Sequence, residues 1–327
     1  MTVRLRHMIA YAAAMIALLI WQIVFDLPGI AALSDFDQDI VYTCGSQLLC
    51  MGLIPLTILL ISYKGKGKDL FARMRYKAPR DARACFLVSV GIMLLITPFT
   101  MAFNALTNLL FKIIGYKKSF PAGNIYLGVG DFFVVLVMTA VLPAVFEEFT
   151  HRGVLLSGLQ ARGSEFSAVV ISAAMFGLMH GNPAQIIFTA FGGLVFGVAV
   201  VKCDSIIPAM CGHFANNAIA VLLDYSTQKQ NALGVWFDRL TSSGTLLSTG
   251  LTFLVLGLSL YGMVRLLQYA ARKAPKPVSE KFLLGMVTLD AYSPDGKATL
   301  KENAPLYATA VAEAVFVVLL LVWGIVK

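Results

Sequence analysis

Long apolar stretches separated by short polar segments dominate the chain. A helix needs about 20 mainly apolar residues to cross roughly 30 Å of hydrocarbon. Nine stretches approach or satisfy this requirement: about 8–26, 40–62, 84–111, 127–151, 165–181, 184–201, 206–224, 246–267 and 305–326. The pattern therefore predicts an all-α fold, a polytopic transmembrane helix bundle of about eight to nine membrane helices without internal repeats.

Composition agrees with a membrane protein and excludes the soluble classes. Hydrophobic residues make up 58% of the 327 positions and charged residues only 13%, whereas soluble domains carry roughly 25% charged residues. A soluble enzyme, a disordered regulator and a secreted disulfide scaffold are excluded. The net charge of +8 comes from basic residues between the apolar stretches, so we expect no nucleic-acid partner.

The distribution of basic residues predicts an orientation. With the N-terminus inside, 19 Lys and Arg fall in inner segments and six in outer ones, and the first outer loop, which begins at Asp26, holds four aspartates. The positive-inside rule then predicts a multi-pass membrane protein with a cytoplasmic N-terminus. The membrane is expected to be a bacterial cell membrane. The first apolar stretch is too long for a signal peptide and is interpreted as an uncleaved span.

Two polar segments and two packing features complete the predicted organisation. Residues 64–83 form a basic inner loop predicted to lie against anionic headgroups, and the proline-containing segment 270–304 is predicted to be a cytoplasmic linker. Gly193 and Gly197 form a GxxxG motif, which predicts close helix packing. The five cysteines form no CxxC pair and lie in or beside apolar stretches, which favours packing over metal or redox chemistry.

Polar residues that are costly in a membrane concentrate between Val141 and Leu223. An ionised side chain near the bilayer centre costs roughly 2.5–3.5 kcal/mol on insertion scales. The region nevertheless contains Glu147, Glu148, His151, Arg152, His180, His213 and Asn217. Ionisable residues inside a membrane indicate a functional site by default.

Helical spacing predicts different positions for the two glutamates. Glu148 and Arg152 are four residues apart on one helix face, which favours an internal ion pair. Glu147 is turned away from this face by about 100° of helical rotation. The alternative is that Glu147 is a second acid that shares Arg152 with Glu148. Measured from the predicted turn at 161–165, Glu147 and His180 each lie about 23 Å along their helices, so we expect them at similar depth.

Two prolines are predicted to shape the surrounding helices. A straight helix over 131–162 would be about 47 Å long, so we expect a kink at Pro143 or an interfacial course for 153–162. A helix break at Pro208, together with helix tilt, would bring His213 and Asn217 close to Glu147 and His180. A carboxylate and an imidazole can then activate water, and an imidazole and an amide can stabilise an oxyanion. These are the groups needed to hydrolyse a peptide bond inside a membrane.

Three sequence motifs in this region resemble those of the CAAX proteases and bacteriocin-processing enzymes, a family that includes the type II CAAX prenyl endopeptidases. The family motifs EExxxR, FxxxH and HxxxN correspond to 147–152 (EEFTHR), 176–180 (FGLMH) and 213–217 (HFANN). The resemblance implies an intramembrane endopeptidase that acts on a membrane-associated or lipidated, CAAX-like peptide or protein in the lipid bilayer. It also implies a catalytic four-helix core at 127–224, between N-terminal helices (1–126) and C-terminal helices (225–327).

The resemblance further implies roles for single residues. Glu147 and His180 would activate the attacking water, His213 and Asn217 would stabilise the oxyanion, and Glu148 and Arg152 would support them. The cofactor stays open: zinc would be held by Glu147, His180 and His213. A metal-free reaction is favoured, because one acid would otherwise be both ligand and base unless Glu148 is the base.

His151 departs from the family pattern, which commonly has an aromatic or other apolar residue before the motif arginine. Its spacing from Glu147 and Glu148 would allow it to share a proton or a metal with either glutamate. The spacing Glu148-x-x-His151 also matches half of a di-iron carboxylate site. Such a site needs a second pair of this kind and two further glutamates, which the predicted spans do not supply.

Two other functions are compatible with the same residues. A proton- or ion-coupled membrane transporter would use Glu147 and Glu148 as intramembrane carriers, although the internal repeats of many transporters are not found in this sequence. A degenerate family member would act only as a scaffold or immunity partner. It is disfavoured because every motif position is intact.

Overall fold

The computed structural model describes most of the chain. The described residues are 1–25, 35–113, 115, 126–242, 246–283, 285–293 and 296–326. The predicted first outer loop around Asp26 lies outside these ranges, as do the predicted outer residues Lys117, Lys118 and Lys327.

The described residues form eleven helices and one pair of strands. The helices are α1 (Val3–Phe25), α2 (35–62), α3 (Gly67–Arg73), α4 (Ala82–Ile113), α5 (Val129–Gln160), α6 (Glu165–Met179), α7 (Pro183–Cys203), α8 (Ile207–Gln228), α9 (Ala232–Ser242), α10 (Leu246–Lys273) and α11 (Leu300–Val326). Each of the nine predicted stretches coincides with one of these helices, while α3 and α9 are short additional ones. The predicted helix bundle is confirmed.

Seven of the described helices are long and apolar enough to cross a membrane by length and composition. The predicted spans outside this group are α6 and α8. Helix α6 has only 15 residues, a length of about 22 Å, and α8 carries the polar third motif. The two helices that fall short of the span criteria are therefore helices that contribute to the predicted site.

Helices α2 and α5 contain π-helical stretches. In α2 the stretch is Cys44–Leu53. In α5 there are two, Val137–Val141 and Phe149–Leu156, and the α-helical segment Leu142–Glu148 lies between them. π-helical stretches are rare in proteins, and those that occur within α-helices are frequently found at functional sites.

Of the expectations for prolines, the helix break at Pro208 requires correction. The chain stays helical through Pro143, which lies in the first turn after the π-helical stretch Val137–Val141, and a kink at this position stays a prediction. The following end of α5 packs against α1 and is buried, with Val154 and Leu155 both 0% exposed, so it does not lie along an interface. Pro208 does not break α8 but stands in its first turn, where a residue without an N–H is well suited.

The segments predicted to face the cytoplasm meet at one end of the bundle. Arg4 Nη1 donates to the main-chain oxygen of Arg162 at 3.2 Å, and Arg162 Nη1 is 3.3 Å from Glu302 Oε2. Arg75 Nε forms an ion pair with Asp204 Oδ1 at 3.2 Å. We call this the basic end, formed by segments 1–6, 63–83, 160–165 and 202–206 and by the described residues of 273–303.

The predicted linker 270–304 is in part a folded hairpin. Strands β1 (Glu280–Leu283) and β2 (Val287–Asp290) pair in antiparallel register. Val287 and Leu289 are 3% and 0% exposed and join the hydrophobic core. The Asp290 N–H donates to Glu165 Oε2 at 3.1 Å. The prediction of a simple linker was wrong, because alternating apolar residues bury one face of the hairpin.

The cysteines behave as packing residues. All five are free thiols: Cys44, Cys50, Cys85, Cys203 and Cys211. Three of them are buried and two are half-buried. This burial is typical of a small hydrophobic residue, which agrees with the predicted role.

The GxxxG motif lies where α7 packs on α6. A Cβ at Gly193 would stand 3.0 Å from Ala173 Cα, and one at Gly197 would stand 3.2 Å from Val169 Cγ1. Helix backbones approach this closely only when the contacting residues are small. The predicted close packing is confirmed.

Substitution of Gly193 by alanine is expected to destabilise the bundle by about 1–3 kcal/mol, because the added methyl group forces α6 and α7 apart. Gly192 is the matched control, since a Cβ there meets nothing within 4 Å, and alanine favours a helix over glycine. Unfolding of the two variants in detergent, followed by circular dichroism, measures the difference. Equal stability of Gly193→Ala and Gly192→Ala would contradict the packing argument.

Candidate active site

A cavity of about 490 Å³ lies within the bundle. Its walls come from α2, α4, α5, α6, α7 and α8. The predicted catalytic residues all line it: Glu147, His180, His213 and Asn217. The structure therefore brings together the residues of the three motifs that the sequence analysis selected.

Glu147 has one bound and one unbound carboxylate oxygen. Gln47 Nε2 donates to Oε1 at 2.8 Å. Oε2 has no hydrogen-bond partner among the described residues, and His213 Nε2 stands 3.8 Å from it. The residue is only 8% exposed. Glu147 is therefore held at one oxygen and left available at the other.

Glu148 and Arg152 form the predicted ion pair. Arg152 Nη1 is 2.9 Å from Glu148 Oε1, and both side chains are 0% exposed. The guanidinium carbon of Arg152 lies 4.3 Å from the centre of the Phe176 ring, a distance that suits a cation–π contact. The alternative that Glu147 shares Arg152 receives no support from the contacts, since the arginine pairs with Glu148.

His213 connects the two glutamates. Its Nδ1 lies 2.9 Å from Glu148 Oε1. Because an ionised carboxylate only accepts hydrogen bonds, Nδ1 carries a proton. The other nitrogen, Nε2, faces Glu147 Oε2, and the ring stacks on Phe196 with centroids 6.0 Å apart. The orientation of His213 is thus fixed by Glu148.

His180 is oriented by the main chain of its own helix. Its Nδ1 donates to the carbonyl oxygen of Phe176 at 2.8 Å. In the neutral imidazole this leaves Nε2 as an acceptor. The Phe176 ring makes edge contacts with His180 and His213, with centroids 5.1 Å and 5.8 Å apart. The motif phenylalanine therefore packs among the polar site residues, a role that the sequence analysis did not assign.

Asn217 is held by a chain of side chains. Its Nδ2 donates to the carbonyl oxygen of Thr139 at 2.9 Å. Its Oδ1 accepts from Asn216 Nδ2 at 3.1 Å, and Asn216 Oδ1 accepts from Thr100 Oγ1 at 2.6 Å. An amide nitrogen has two protons, so a second donor remains on Asn217.

His151 does not take the position that its spacing suggested. It lies behind the cavity, 0% exposed, where Nδ1 donates to the carbonyl oxygen of Glu147 at 3.1 Å. Its Nε2 is 3.3 Å from the hydroxyl group of Tyr11 on α1. The described hydrogen-bond contacts of the His151 ring are thus with the main chain of Glu147 and with Tyr11, and none of them is with the Glu147 or Glu148 side chain.

Comparison with known protein families identifies this region. Residues 129–219 match the family model described as type II CAAX prenyl endopeptidase Rce1-like. This segment, little more than a quarter of the chain, is similar to the Rce1-like family. The family resemblance found in the motifs is thereby confirmed, and the long apolar helices support a multi-pass membrane protein. No curated protein and no solved structure matches the chain.

Two of the three predicted zinc ligands lie close together in the cavity. His213 Nε2 is 3.8 Å from Glu147 Oε2, and the other nitrogen of His213 is bonded to Glu148. Among the residues that the structure describes, no group of three or more His, Cys, Asp or Glu side chains is close enough together to hold a metal ion without movement. Zinc-dependent and metal-free hydrolysis are therefore the two alternatives that chelation distinguishes.

Two polar residues outside the Rce1-like segment were missed. Gln47, on α2, contacts Glu147 directly, and its sequence signal was an amide within an apolar stretch. Glu313, on α11, is 3% exposed, and its Oε2 has no hydrogen-bond partner in the described ranges. Glu313 does not line the cavity, although it too is a carboxylate within a predicted span.

Proposed function

We propose that this protein is an intramembrane endopeptidase that hydrolyses a peptide bond in a membrane-associated or lipidated, CAAX-like peptide or protein. The observation that carries the proposal is the convergence of the three motifs on one cavity inside the bundle. Within it, a buried carboxylate oxygen of Glu147 and the free nitrogen of His180 are available for water. The Rce1-like match supports the reaction class.

The first step uses Glu147 and His180. A water molecule bound between Glu147 Oε2 and His180 Nε2 gives a proton to Glu147 as its oxygen attacks the carbonyl carbon of the substrate. The bond from Gln47 to the other carboxylate oxygen fixes the direction of the base. A new C–O bond forms, and the carbonyl oxygen becomes an oxyanion.

The second step uses His213 and Asn217. The second N–H of the Asn217 amide donates to the oxyanion, and so does Nε2 of His213 in its doubly protonated form. Glu148, bonded to Nδ1 of His213, stabilises that imidazolium charge. The C–N bond then breaks, and the proton held by Glu147 passes to the leaving nitrogen.

The flanking parts of the chain have supporting roles in this proposal. Segment 127–224 supplies the catalytic core, and helices of segment 1–126 complete the cavity wall. We place the basic end on the cytoplasmic side, because its lysines and arginines follow the positive-inside rule, and we assign the protein to a bacterial cell membrane.

The proposed function is tested with purified protein in liposomes. The probe is a farnesylated peptide with a CAAX terminus, and mass spectrometry detects a new carboxyl end. Proton or ion flux without any cleavage would overturn the proposal and support a coupled transporter. Natural substrates are then sought by comparing the membrane peptidomes of cells that express wild type or Glu147→Ala.

Substitution of Asn217 by alanine is expected to lower kcat about 10²- to 10³-fold, because one oxyanion donor is lost. KM should change little, since the developing charge exists only in the transition state. The measurement is steady-state cleavage of the same peptide, with thermal unfolding as the control for folding. A change confined to KM would contradict the assignment of an oxyanion donor.

Exhaustive chelation is expected to leave the cleavage rate unchanged, because the proposed steps use only side chains and water. The protein is dialysed against a strong chelator, and residual metal is measured by mass spectrometry before the assay. Loss of activity that added zinc restores would contradict this expectation.

A further inference from the structure

Four buried oxygens that lack hydrogen-bond partners among the described residues belong to side chains lining the same cavity. They are Glu147 Oε2, Gln47 Oε1, Thr97 Oγ1 and Asn104 Oδ1. Glu147 is part of the proposed machinery, but the other three residues lie on α2 and α4, outside the Rce1-like segment. We call Gln47, Thr97 and Asn104 the polar strip. Buried polar atoms in proteins are normally satisfied, so these need a reason.

Thr97 is the clearest case. A buried threonine in a helix usually donates to a carbonyl oxygen of the preceding turn. Thr107, further along α4, does so to Phe103 O at 3.0 Å. Thr97 is 4% exposed, and its hydroxyl group has no such bond in the described structure. Its hydroxyl group is therefore left for a partner in the cavity.

Gln47 presents an acceptor in a fixed direction. Its Nε2 is bonded to Glu147, which determines the orientation of the whole amide. The other end, Oε1, can only accept, and the residue is more than nine-tenths buried. A ligand that satisfies this oxygen must supply an N–H or O–H group next to the proposed base.

The spacing of the polar strip suits an extended peptide. Thr97 and Asn104 are seven residues apart on one face of α4, which corresponds to about 10 Å along the helix. Three residues of extended chain cover about the same length. A peptide drawn into the bundle carries main-chain N–H groups that lipid cannot satisfy, and the strip carries buried oxygens without partners.

We propose that the polar strip binds the main chain of the substrate in extended form. The amide oxygens of Gln47 and Asn104 accept hydrogen bonds from substrate N–H groups, and the hydroxyl group of Thr97 bonds to the same main chain. This inference rests on the proposed function and extends it. Recognition through the main chain does not depend on substrate side chains, so the strip would hold different sequences in the same position relative to Glu147.

The experiment measures binding rather than cleavage. The parent is Glu147→Gln, whose amide oxygen can still accept the bond from Gln47. Its affinity for a fluorescent farnesylated CAAX peptide is determined in liposomes. Adding Thr97→Val or Gln47→Met is expected to weaken binding about three- to tenfold for each lost hydrogen bond. Thr107→Val is the matched control on the same helix and should leave the affinity unchanged.

A second measurement removes the donors from the peptide. Single N–H groups near the cleavage position are replaced by ester oxygens. An analogue that lacks the N–H group bonded to the strip should bind the parent about three- to tenfold more weakly. Its affinity should fall no further when the matching acceptor is also removed, by Asn104→Leu or by Gln47→Met. Equal affinity of all variants and analogues would overturn the polar strip while leaving wild-type cleavage, and hence the proposed function, intact. If the peptide does not bind to the parent variant, the proposed role of the polar strip is overturned. If the wild-type protein also fails to cleave the peptide, the proposed function is overturned as well.

Discussion

Substitution of Glu147 by glutamine is expected to lower the rate of peptide cleavage by about 10²- to 10⁴-fold, the usual contribution of a general base. Glutamine has nearly the same shape and keeps an oxygen for the bond from Gln47, so the cavity should remain intact. What it loses is the ability to take the proton of the attacking water. Cleavage of the farnesylated peptide in liposomes measures the effect.

Glu313 provides the matched control for this experiment. It is a second buried glutamate within a span, but it does not line the cavity. Glu313→Gln should therefore cleave at the wild-type rate once differences in protein amount are corrected. Retained activity in Glu147→Gln would contradict the assignment of the base, and an equal loss in both variants would indicate a general effect of removing intramembrane charge.

Substitution of Arg152 by methionine is expected to destabilise the protein by about 3–5 kcal/mol, the range found when one partner of a buried ion pair is removed. Arg152 and Glu148 are both 0% exposed. Without the arginine, Glu148 keeps His213 as a hydrogen-bond partner but loses the fully buried guanidinium group of Arg152. Reversible unfolding in mixed detergent, followed by intrinsic fluorescence, measures the change.

Two controls separate this effect from a general effect of removing a charge. The double variant Glu148→Gln/Arg152→Met removes both charges and should recover most of the lost stability. Lys77→Met removes a cation whose side chain is 41% exposed and paired with Asp204 at the basic end. Such exposed pairs contribute only about 0–1 kcal/mol. A double variant as unstable as Arg152→Met would contradict the explanation.

The features that could be predicted from the sequence are those that depend on the length of an apolar stretch or on the spacing of residues within one helix. The nine predicted stretches correspond to helices because membrane thickness sets a minimum apolar length. The Glu148–Arg152 pair was predictable because four residues bring two side chains to one face of a helix. The three motifs identified three of the six helices that form the cavity, α5, α6 and α8, because each motif is short and lies within one helix or at its end.

Contacts between distant parts of the chain were not predictable. The bond between Gln47 and Glu147 joins residues 100 positions apart, and no spacing rule relates them. The contact between His151 and Tyr11 likewise joins residues 140 positions apart, so the spacing of His151 from the two glutamates could not reveal it. The hairpin of β1 and β2 was missed because the prolines in the surrounding segment indicated a linker. The burial of Val287 also depends on contacts with helices far away in the sequence, which local spacing does not reveal.

The distribution of the site over the helices has a consequence for biogenesis. Helices are synthesised in chain order, and N-terminal parts fold first. Gln47 on α2 is made before Glu147, while Glu148 and Arg152 are made together on α5 and pair within one helix. His213 on α8 follows and completes the site. Each glutamate of the site is thus made together with, or after, a partner that can satisfy it, which lowers the cost of inserting a polar site into lipid.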